Sequence, residues 1–164
     1  MAVFVHIFAE RDRASIKRSG IRVVRGRRRR LNGVFVSPVT ESYYHTHQWH
    51  REVRRMEQIP KLAARIRIPD DEKVCIGKYN EPHLEVTAAQ AVAMARQHDS
   101  PEGLEVIIPR SVRFEEIISI YKPPKVTGWR YSPQAKGRKP CGCSFCQRGR
   151  PNSRKIRESC EEGT

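Results

Sequence analysis

Apolar and polar residues alternate along several stretches of the chain, and such alternation predicts β-strands. The clearest case covers residues 61–68, where the even-numbered positions are aliphatic and the odd-numbered positions include Arg65 and Arg67. This pattern predicts a half-buried strand with one face toward a core. Shorter apolar runs predict further strands at residues 3–8, 33–36, 74–76, 104–108 and 117–121, with another extended piece at 126–131.

Two helices are predicted from their end signals. Residues 12–19 form the first, because Gly20 follows where a left-handed cap is needed and Ile21 can fold back onto the helix. The second begins after Thr87, which makes a capping box with Gln90. Its buried stripe is expected to consist of Ala88, Ala91, Val92 and Ala95.

A third helix is expected over residues 41–57, with Thr40 or Ser42 as its cap. Trp49, Val53 and Met56 recur at i, i+4 and i+7, which places them on one face. With about seven strands and three helices in no strict βαβ rhythm, the predicted fold class is α+β. Residues 1–131 are expected to form the main domain and residues 132–164 a basic, cysteine-containing tail.

The start of the chain is apolar, but Glu10 follows at once, so it predicts a first strand and not a signal peptide. We find no stretch long enough to cross a bilayer. The expectation is therefore a protein with no membrane partner and the cytoplasm as its default location. No pattern in the sequence indicates the oligomeric state.

The composition is strongly basic. Lys and Arg number 32 against 18 Asp and Glu, a formal net charge of +14, which predicts attraction to polyanions, nucleic acid above all. A solvated basic surface without a partner is the alternative, and charge does not distinguish RNA from DNA binding. The arginines that we expect to contact phosphate are Arg27, Arg28, Arg29, Arg30, Arg148 and Arg150.

Four of the five cysteines lie in the last 24 residues. Cys141, Cys143 and Cys146 lie close together and Cys160 could be a fourth ligand, so tetrahedral zinc coordination is one interpretation. A tail with free thiols is the other. Cys75 lies in an apolar run, where we expect it to pack as a small hydrophobe.

Three histidines, His45, His47 and His50, fall in the predicted third helix. His47 and His50 share one face, but no glutamate completes an H-E-x-x-H motif, which excludes a zincin. A pH-sensitive or substrate-facing surface is favoured over metal binding.

Four motifs follow one another in an informative order. A first strand bears His6, and the helix after it ends at Gly20. A second strand, residues 33–38, leads into a helix, and a late strand, residues 104–108, carries Glu105 at its second position. This order resembles the ADP-ribosyltransferase fold, a split sheet with flanking helices, over residues 2–121. The segment 105–109, EVIIP, followed by Glu116 and Ile117, is especially similar to the end of the DarT-type nucleic-acid ADP-ribosyltransferase toxins.

The resemblance implies a glycosyl transfer in which NAD is the substrate that donates ADP-ribose, with DNA or another nucleic acid as a plausible acceptor. It implies that Glu105 is the catalytic acid and that His6 contacts a ribose. Residues expected near NAD are Ser37, Tyr43, Tyr44 and Arg51. From the residues alone, an ion-paired edge carboxylate, a satisfied core histidine and ordinary core tyrosines are the competing interpretations.

The enzyme hypothesis makes one geometric demand: Glu105 and His6 must face a single cavity able to hold a dinucleotide. If the two side chains lay on opposite faces of the sheet, or far apart with no cavity between them, the enzyme hypothesis would collapse and only a positively charged binding protein would remain. The alternatives are a non-catalytic nucleic-acid-binding protein with a zinc-stabilised tail, and an enzyme of the same fold related to the RNA 2′-phosphotransferases.

Overall fold

The computed structural model describes residues 1–23, 32–50, 53, 61–79, 81–99 and 101–123. Within these residues seven strands form one antiparallel sheet, and the helices are few. The strands are β1 (Ala2–Ala9), β2 (Val34–Pro38), β3 (Lys61–Ile68), β4 (Lys73–Lys78), β5 (Leu84–Thr87), β6 (Leu104–Ile108) and β7 (Ile117–Tyr121). Their order across the sheet is β5-β4-β6-β2-β1-β3-β7.

Three α-helices accompany the sheet: α1 (Arg13–Ser19), α2 (Tyr43–His47) and α3 (Ala88–Gln97). Short 3-10 turns at Glu10–Asp12 and Phe114–Glu116 precede α1 and β7. The α+β class expected from the sequence is therefore confirmed. None of the helices in this described part is both long and apolar enough to span a membrane.

One face of the sheet, here called the core face, carries most of the buried aliphatic side chains. It is built from alternate residues of the central strands, because successive side chains of a strand point to opposite sides. Ala88, Ala91 and Ala95 of α3 pack on this face, and their small size lets the helix lie close to the strands. The largest fully buried core-face side chains include Phe4, Ile66, Ile68, Ile108, Val74 and Val106.

The start of α3 is fixed twice over. Thr87 and Gln90 form the predicted capping box, with hydrogen bonds of 3.2 and 2.9 Å. The amides of Ala88 and Ala89 donate to carbonyls of the β3–β4 turn, at 2.8 and 3.1 Å. The helix is thereby attached to the sheet at the end where its amides have no partner within the helix.

The helix α1 ends as the sequence predicts. Gly20 has a φ of 71°, and its amide donates to the Ile16 carbonyl at 2.9 Å. Ile16 and Ile21 are both buried in the core. Ile21 then bridges Val112, through two backbone hydrogen bonds of 2.8 and 2.9 Å.

The centre of the sheet is split. β1 pairs with β2 only at Phe4–Pro38 and Val5–Ser37, whereas the rest of β2 pairs with β6. β1 continues along β3 without a register shift over all eight residues. β1 and β2 therefore part beyond Val5 and Ser37, while on the other side of the paired residues the Val39 amide donates to the Val3 carbonyl at 3.0 Å.

Two expectations need adjustment. Ser42 caps α2 by accepting from the His45 amide at 3.3 Å, and α2 covers Tyr43–His47, with helical geometry again at residues 49–50. Most of the rest of the predicted helix, residues 51–52 and 54–57, lies outside the described residues, as do residues 126–131 and the expected domain boundary. The strand β5 has no counterpart among the segments predicted as strands.

Candidate functional site

The second face of the sheet, here called the groove face, carries polar side chains in one row. In an antiparallel sheet, residues directly opposite each other project to the same side. Val5 lies opposite Ser37 and Arg65, and Arg65 lies opposite Ser119. The β2–β6 register places Glu105 beside Ser37, so the row extends to β6.

Glu105 lies in the second position of β6, opposite Gly77 of β4. Its side chain is only 11% exposed, and its Oε1 lies 3.3 Å from Nε2 of His83. The His83 side chain is 8% exposed, and its Nδ1 donates to the Glu81 carbonyl at 3.0 Å. A carboxylate and an imidazole thus meet in a site that is nearly closed to water.

The approach to Glu105 is held by the segment that follows α2. Gln48 accepts from the Gly103 amide at 2.8 Å and donates to the Pro101 carbonyl at 3.1 Å. The indole N–H of Trp49 donates to the Leu104 carbonyl at 3.0 Å. These three hydrogen bonds attach the helical segment to the loop from which β6 emerges, so they fix the position at which Glu105 enters the sheet.

His6 lies elsewhere. It shares the parity of Phe4 and Phe8 on β1, and its ring stacks on Phe8 with centroids 6.2 Å apart and planes 8° from parallel. Its Nδ1 lies 2.8 Å from the Phe35 carbonyl, which can only accept, so Nδ1 carries the proton. Burial lowers the pKa of His6, outweighing the opposite effect of the Phe35 carbonyl, and the ring is neutral at pH 7.

The expected pairing of His6 with Glu105 in one cavity is wrong. Val5, and not His6, shares the parity of Ser37 and Glu105, so His6 projects from the core face and Glu105 from the groove face. The side chain of His6 bridges from β1 to the backbone of β2, where the two strands part. Of the two interpretations of His6 that the sequence leaves open, a core histidine with its hydrogen bond satisfied fits this position better than a contact to ribose.

A groove of about 310 Å³ lies on the same face of the sheet as Glu105, and it extends over the neighbouring strands β1, β3 and β7. His47 Nε2 lies 2.8 Å from the Tyr121 hydroxyl across it, and the two rings meet edge to face. Such a volume is at the small end for a ligand site, about the size for one part of a dinucleotide. The groove is lined by Val5, Val39, Thr46, His47, Arg65, Ser119 and Tyr121.

Of the remaining predicted residues, Ser37, Tyr43 and Tyr44 lie in the described part of the chain and the others do not. Ser37 is buried beside Glu105 in the row, whereas Tyr44 is half-buried on α2 with its ring edge to face with His45. Tyr43 begins α2. The predicted residues outside the described part are Arg27, Arg28, Arg29, Arg30, Arg51, Cys141, Cys143, Cys146, Arg148, Arg150 and Cys160.

His83 is the site residue that sequence reasoning missed. The sequence offers one signal for it in Gly77, because a glycine inside a strand often marks a close approach of other atoms. A Cβ at Gly77 would lie 2.8 Å from the Pro82 carbonyl oxygen and 2.9 Å from Cγ of His83. Only a glycine leaves room for the imidazole to reach Glu105.

The described residues contain no group of three or more His, Cys, Asp or Glu side chains placed to hold a metal ion. Cys75 is a half-buried free thiol in β4, and burial, with the nearby Glu85 carboxylate, raises the pKa of its thiol. It therefore stays protonated.

Comparison of the chain with known protein families, with curated proteins and with solved structures finds no match.

Proposed function

We propose that the protein transfers ADP-ribose from NAD to an acceptor, with Glu105 as the catalytic carboxylate. One observation carries the proposal: β1, β2 and β6, which hold three of the motifs of the resemblance, are neighbours at the centre of the sheet. They come from segments far apart in the sequence, yet Glu105 and Ser37 become adjacent. Beside them, β1 and β2 pair at only two positions.

The chemistry requires a carboxylate at this place. In the proposed reaction the bond between C1′ of the ribose and the nicotinamide nitrogen breaks, and the electron pair leaves with nicotinamide. The acceptor then forms a bond to C1′ and gives up a proton to a base. Positive charge develops on the ribose meanwhile, and an ionised Glu105 stabilises it, as carboxylates do at glycosidic centres.

The proposal assigns no chemistry to His6. Its side chain lies on the other face, and its proton is committed to the Phe35 carbonyl. Its hydrogen bond to the Phe35 carbonyl links β1 to β2 at the point where the two strands separate. The enzyme hypothesis as drawn from the sequence, with His6 and Glu105 facing one cavity, therefore fails, and the narrower proposal made here depends on Glu105 and the groove face alone.

Nucleic acid is the acceptor that the charge favours. The described residues carry nearly equal numbers of basic and acidic side chains, 14 and 13. The other segments hold 18 of the 32 Lys and Arg but only five of the 18 Asp and Glu. A chain that joins a nearly neutral sheet to strongly basic segments can attract a polyanion through those segments while the sheet carries a separate site.

A non-catalytic nucleic-acid-binding protein is the second candidate, and the placement of His6 favours it. If the basic segments were the whole of the function, the Glu105–His83 pair would be a structural contact. This candidate predicts salt-sensitive oligonucleotide binding without any turnover of NAD.

One experiment separates the two candidates. The protein is incubated with NAD labelled in the adenylate and with single-stranded DNA, RNA or protein, and the products are identified by mass spectrometry. Transfer of ADP-ribose by the wild type, its loss in Glu105→Gln and its retention in Glu115→Gln support the proposal, since Glu115 is exposed on a 3-10 turn. Full NAD consumption by Glu105→Gln, or none by the wild type with any acceptor, contradicts it.

A further inference from the structure

The groove over β1, β3 and β7 contains one arginine, Arg65, in its lining. Arg65 is exposed, and its guanidinium makes no ion pair with a carboxylate of the described residues. Across the sheet it lies between Val5 of β1 and Ser119 of β7. None of the described side chains that line the groove is a carboxylate. An anion that enters the groove therefore meets a positive charge without having to displace an acidic partner.

A β-bulge in β7 brings two further polar side chains to the groove. The register of β3 against β7 shifts by one residue between Arg65 and Ile66, and Ile118 is the extra residue. Beyond the shift, Ser119 and Tyr121 project from the groove face. If the pairing continued without the shift, both side chains would turn to the core face. The bulge thus supplies the groove with a hydroxyl directly opposite the guanidinium and with an aromatic ring.

The rest of the lining is apolar or held by internal hydrogen bonds. Val5 and Val39 contribute aliphatic surface. The Thr46 hydroxyl donates to the carbonyl of the residue that caps α2, at 3.0 Å, which fixes the wall formed by that helix. His47 Nε2 lies 2.8 Å from the Tyr121 hydroxyl, which joins α2 to β7 across the groove. The groove therefore combines one cation and one exposed hydroxyl with aliphatic and aromatic surface.

We propose that the groove binds a free nucleoside monophosphate, with Arg65 and Ser119 as the ligands of its phosphate. A phosphate monoester accepts hydrogen bonds from a hydroxyl and, at two of its oxygens, from the planar fork of a guanidinium. The nucleoside requires apolar and aromatic contacts, which Val5, Val39 and Tyr121 supply. A volume of about 310 Å³ lies at the small end of the range for ligand sites and suits a single nucleotide.

This site is separate from that of Glu105. Glu105, Ser37, Val5 and Arg65 lie in one row across the neighbouring strands β6, β2, β1 and β3. Neighbouring strands are about 4.8 Å apart, so the backbone of Arg65 lies roughly 14 Å from that of Glu105. Glu105 does not line the groove. The inference therefore goes beyond the proposed function, and its test needs neither NAD nor turnover.

The test is a titration of the ¹⁵N-labelled full chain with each of the four ribonucleoside 5′-monophosphates, followed by ¹H–¹⁵N correlation spectra of the backbone amides. Physiological salt screens contacts with exposed charges. We expect saturable shifts that are largest at Val5, Val39, Arg65 and Ser119. Adenosine and inorganic phosphate each carry only part of the ligand and should bind at least about tenfold more weakly than AMP. No saturable shift in the groove with any nucleotide, or adenosine binding as tightly as AMP, overturns the proposal.

Substitutions locate the phosphate. Arg65→Gln should lower the affinity for AMP about ten- to a hundredfold, because it removes charge-assisted hydrogen bonds. Arg67→Gln is the matched control, since Arg67 is exposed on the same face of β3 but does not line the groove. It should change the affinity by less than about twofold. Both side chains are exposed, so both variants should fold; equal losses in the two, or none in Arg65→Gln, contradict the assignment.

The hydroxyl has its own variant. Ser119→Ala should lower the affinity for AMP roughly two- to tenfold, the effect of one neutral hydrogen bond. Ser119 is exposed on an edge strand, so the sheet should tolerate the change. An unchanged affinity would overturn its place as a phosphate ligand.

A 5′-phosphorylated oligonucleotide distinguishes a free nucleotide from the end of a nucleic-acid strand. Its affinity, measured by fluorescence anisotropy, should be the same for the wild type and for Arg65→Gln. If the oligonucleotide, and not AMP, binds more weakly to Arg65→Gln, the groove holds a strand end and the proposal is wrong.

Discussion

At the scale of single residues, Gly20 occupies a place that a side chain cannot share. Its φ of 71° is in the region that favours glycine, and a Cβ would collide with the Val112 carbonyl oxygen, which is held in the bridge to Ile21. Gly20→Ala is therefore expected to lower the free energy of unfolding by more than about 2 kcal/mol. Urea denaturation measures it. Ser19→Ala is the control and should cost far less, because it removes only an exposed hydroxyl bond to Ser15; equal losses would contradict the strain argument.

A second residue-scale prediction concerns Arg110. Its guanidinium hydrogen bonds to both oxygens of Glu116, at 2.6 and 2.8 Å, and to Glu72 at 2.6 Å. The hydrogen bond from Arg110, more than the Arg113 amide, lowers the pKa of Glu116 from its ordinary value of 4.5, while desolvation opposes the shift. This stabilisation is therefore complete above the ordinary carboxyl pKa and is lost as the pH falls through the lower folded-state value.

Glu116→Gln tests this linkage. The variant should be less stable than the wild type at pH 7, and the difference should shrink as the pH falls below 4.5 toward the folded-state pKa. Urea unfolding between pH 7 and pH 3 measures the difference. Glu115→Gln on the same turn is exposed and should show no such dependence. A difference that grows toward acid pH would reverse the sign and reject the argument.

At the scale of elements, α3 depends on its first turn. Thr87→Ala removes the hydroxyl that accepts from the Gln90 amide, and loss of such a cap costs about 1 kcal/mol. The bonds from Ala88 and Ala89 to the β3–β4 turn remain, so the helix should persist. Thermal unfolding with circular dichroism measures both effects. Gln97→Ala at the far end should be nearly neutral; a larger loss from it would show that the cap does not govern the helix.

Elements with strong periodicity were predictable from the sequence. The bounds of β3, β6 and β7 match the predicted segments, and the capping box located the start of α3. β5 was not predictable, because it is a short edge strand whose burial does not alternate: Leu84, 62% exposed, is followed by an exposed Glu85. Its pairing with β4 defines it as a strand, and pairing is a property of two segments.

The candidate site shows the same limit more sharply. Sequence periodicity located the strands that bear His6 and Glu105, but a shift of one residue in pairing register moves every side chain to the opposite face. The register across β1, β2 and β6 is set by the core residues of all three strands together. The contact of His83 with Glu105 depends likewise on how the β4–β5 turn folds over Gly77.

At the scale of the whole molecule, charge is distributed unevenly along the chain. The described residues are close to neutral, and most of the net charge of +14 belongs to residues 24–31, 51–60 and 124–164. Long-range attraction of a polyanion therefore originates mainly in those segments, while the sheet contributes the Glu105 site and the groove. Binding and any chemistry are separable by mutation.

Salt dependence tests this separation. Each lost contact with a single-stranded phosphate reduces the slope of log K against log salt by about 0.7, so replacing Arg27, Arg28, Arg29 and Arg30 by Gln should reduce it by up to about 3. The matched control replaces four exposed cations of the described residues by Gln: Lys17, Arg67, Lys73 and Arg96. Fluorescence anisotropy of a labelled oligonucleotide at several salt concentrations gives both slopes. If the slope of log K against log salt fell equally in the two variants, the described residues would themselves contact the nucleic acid. That result would contradict the division of charge along the chain.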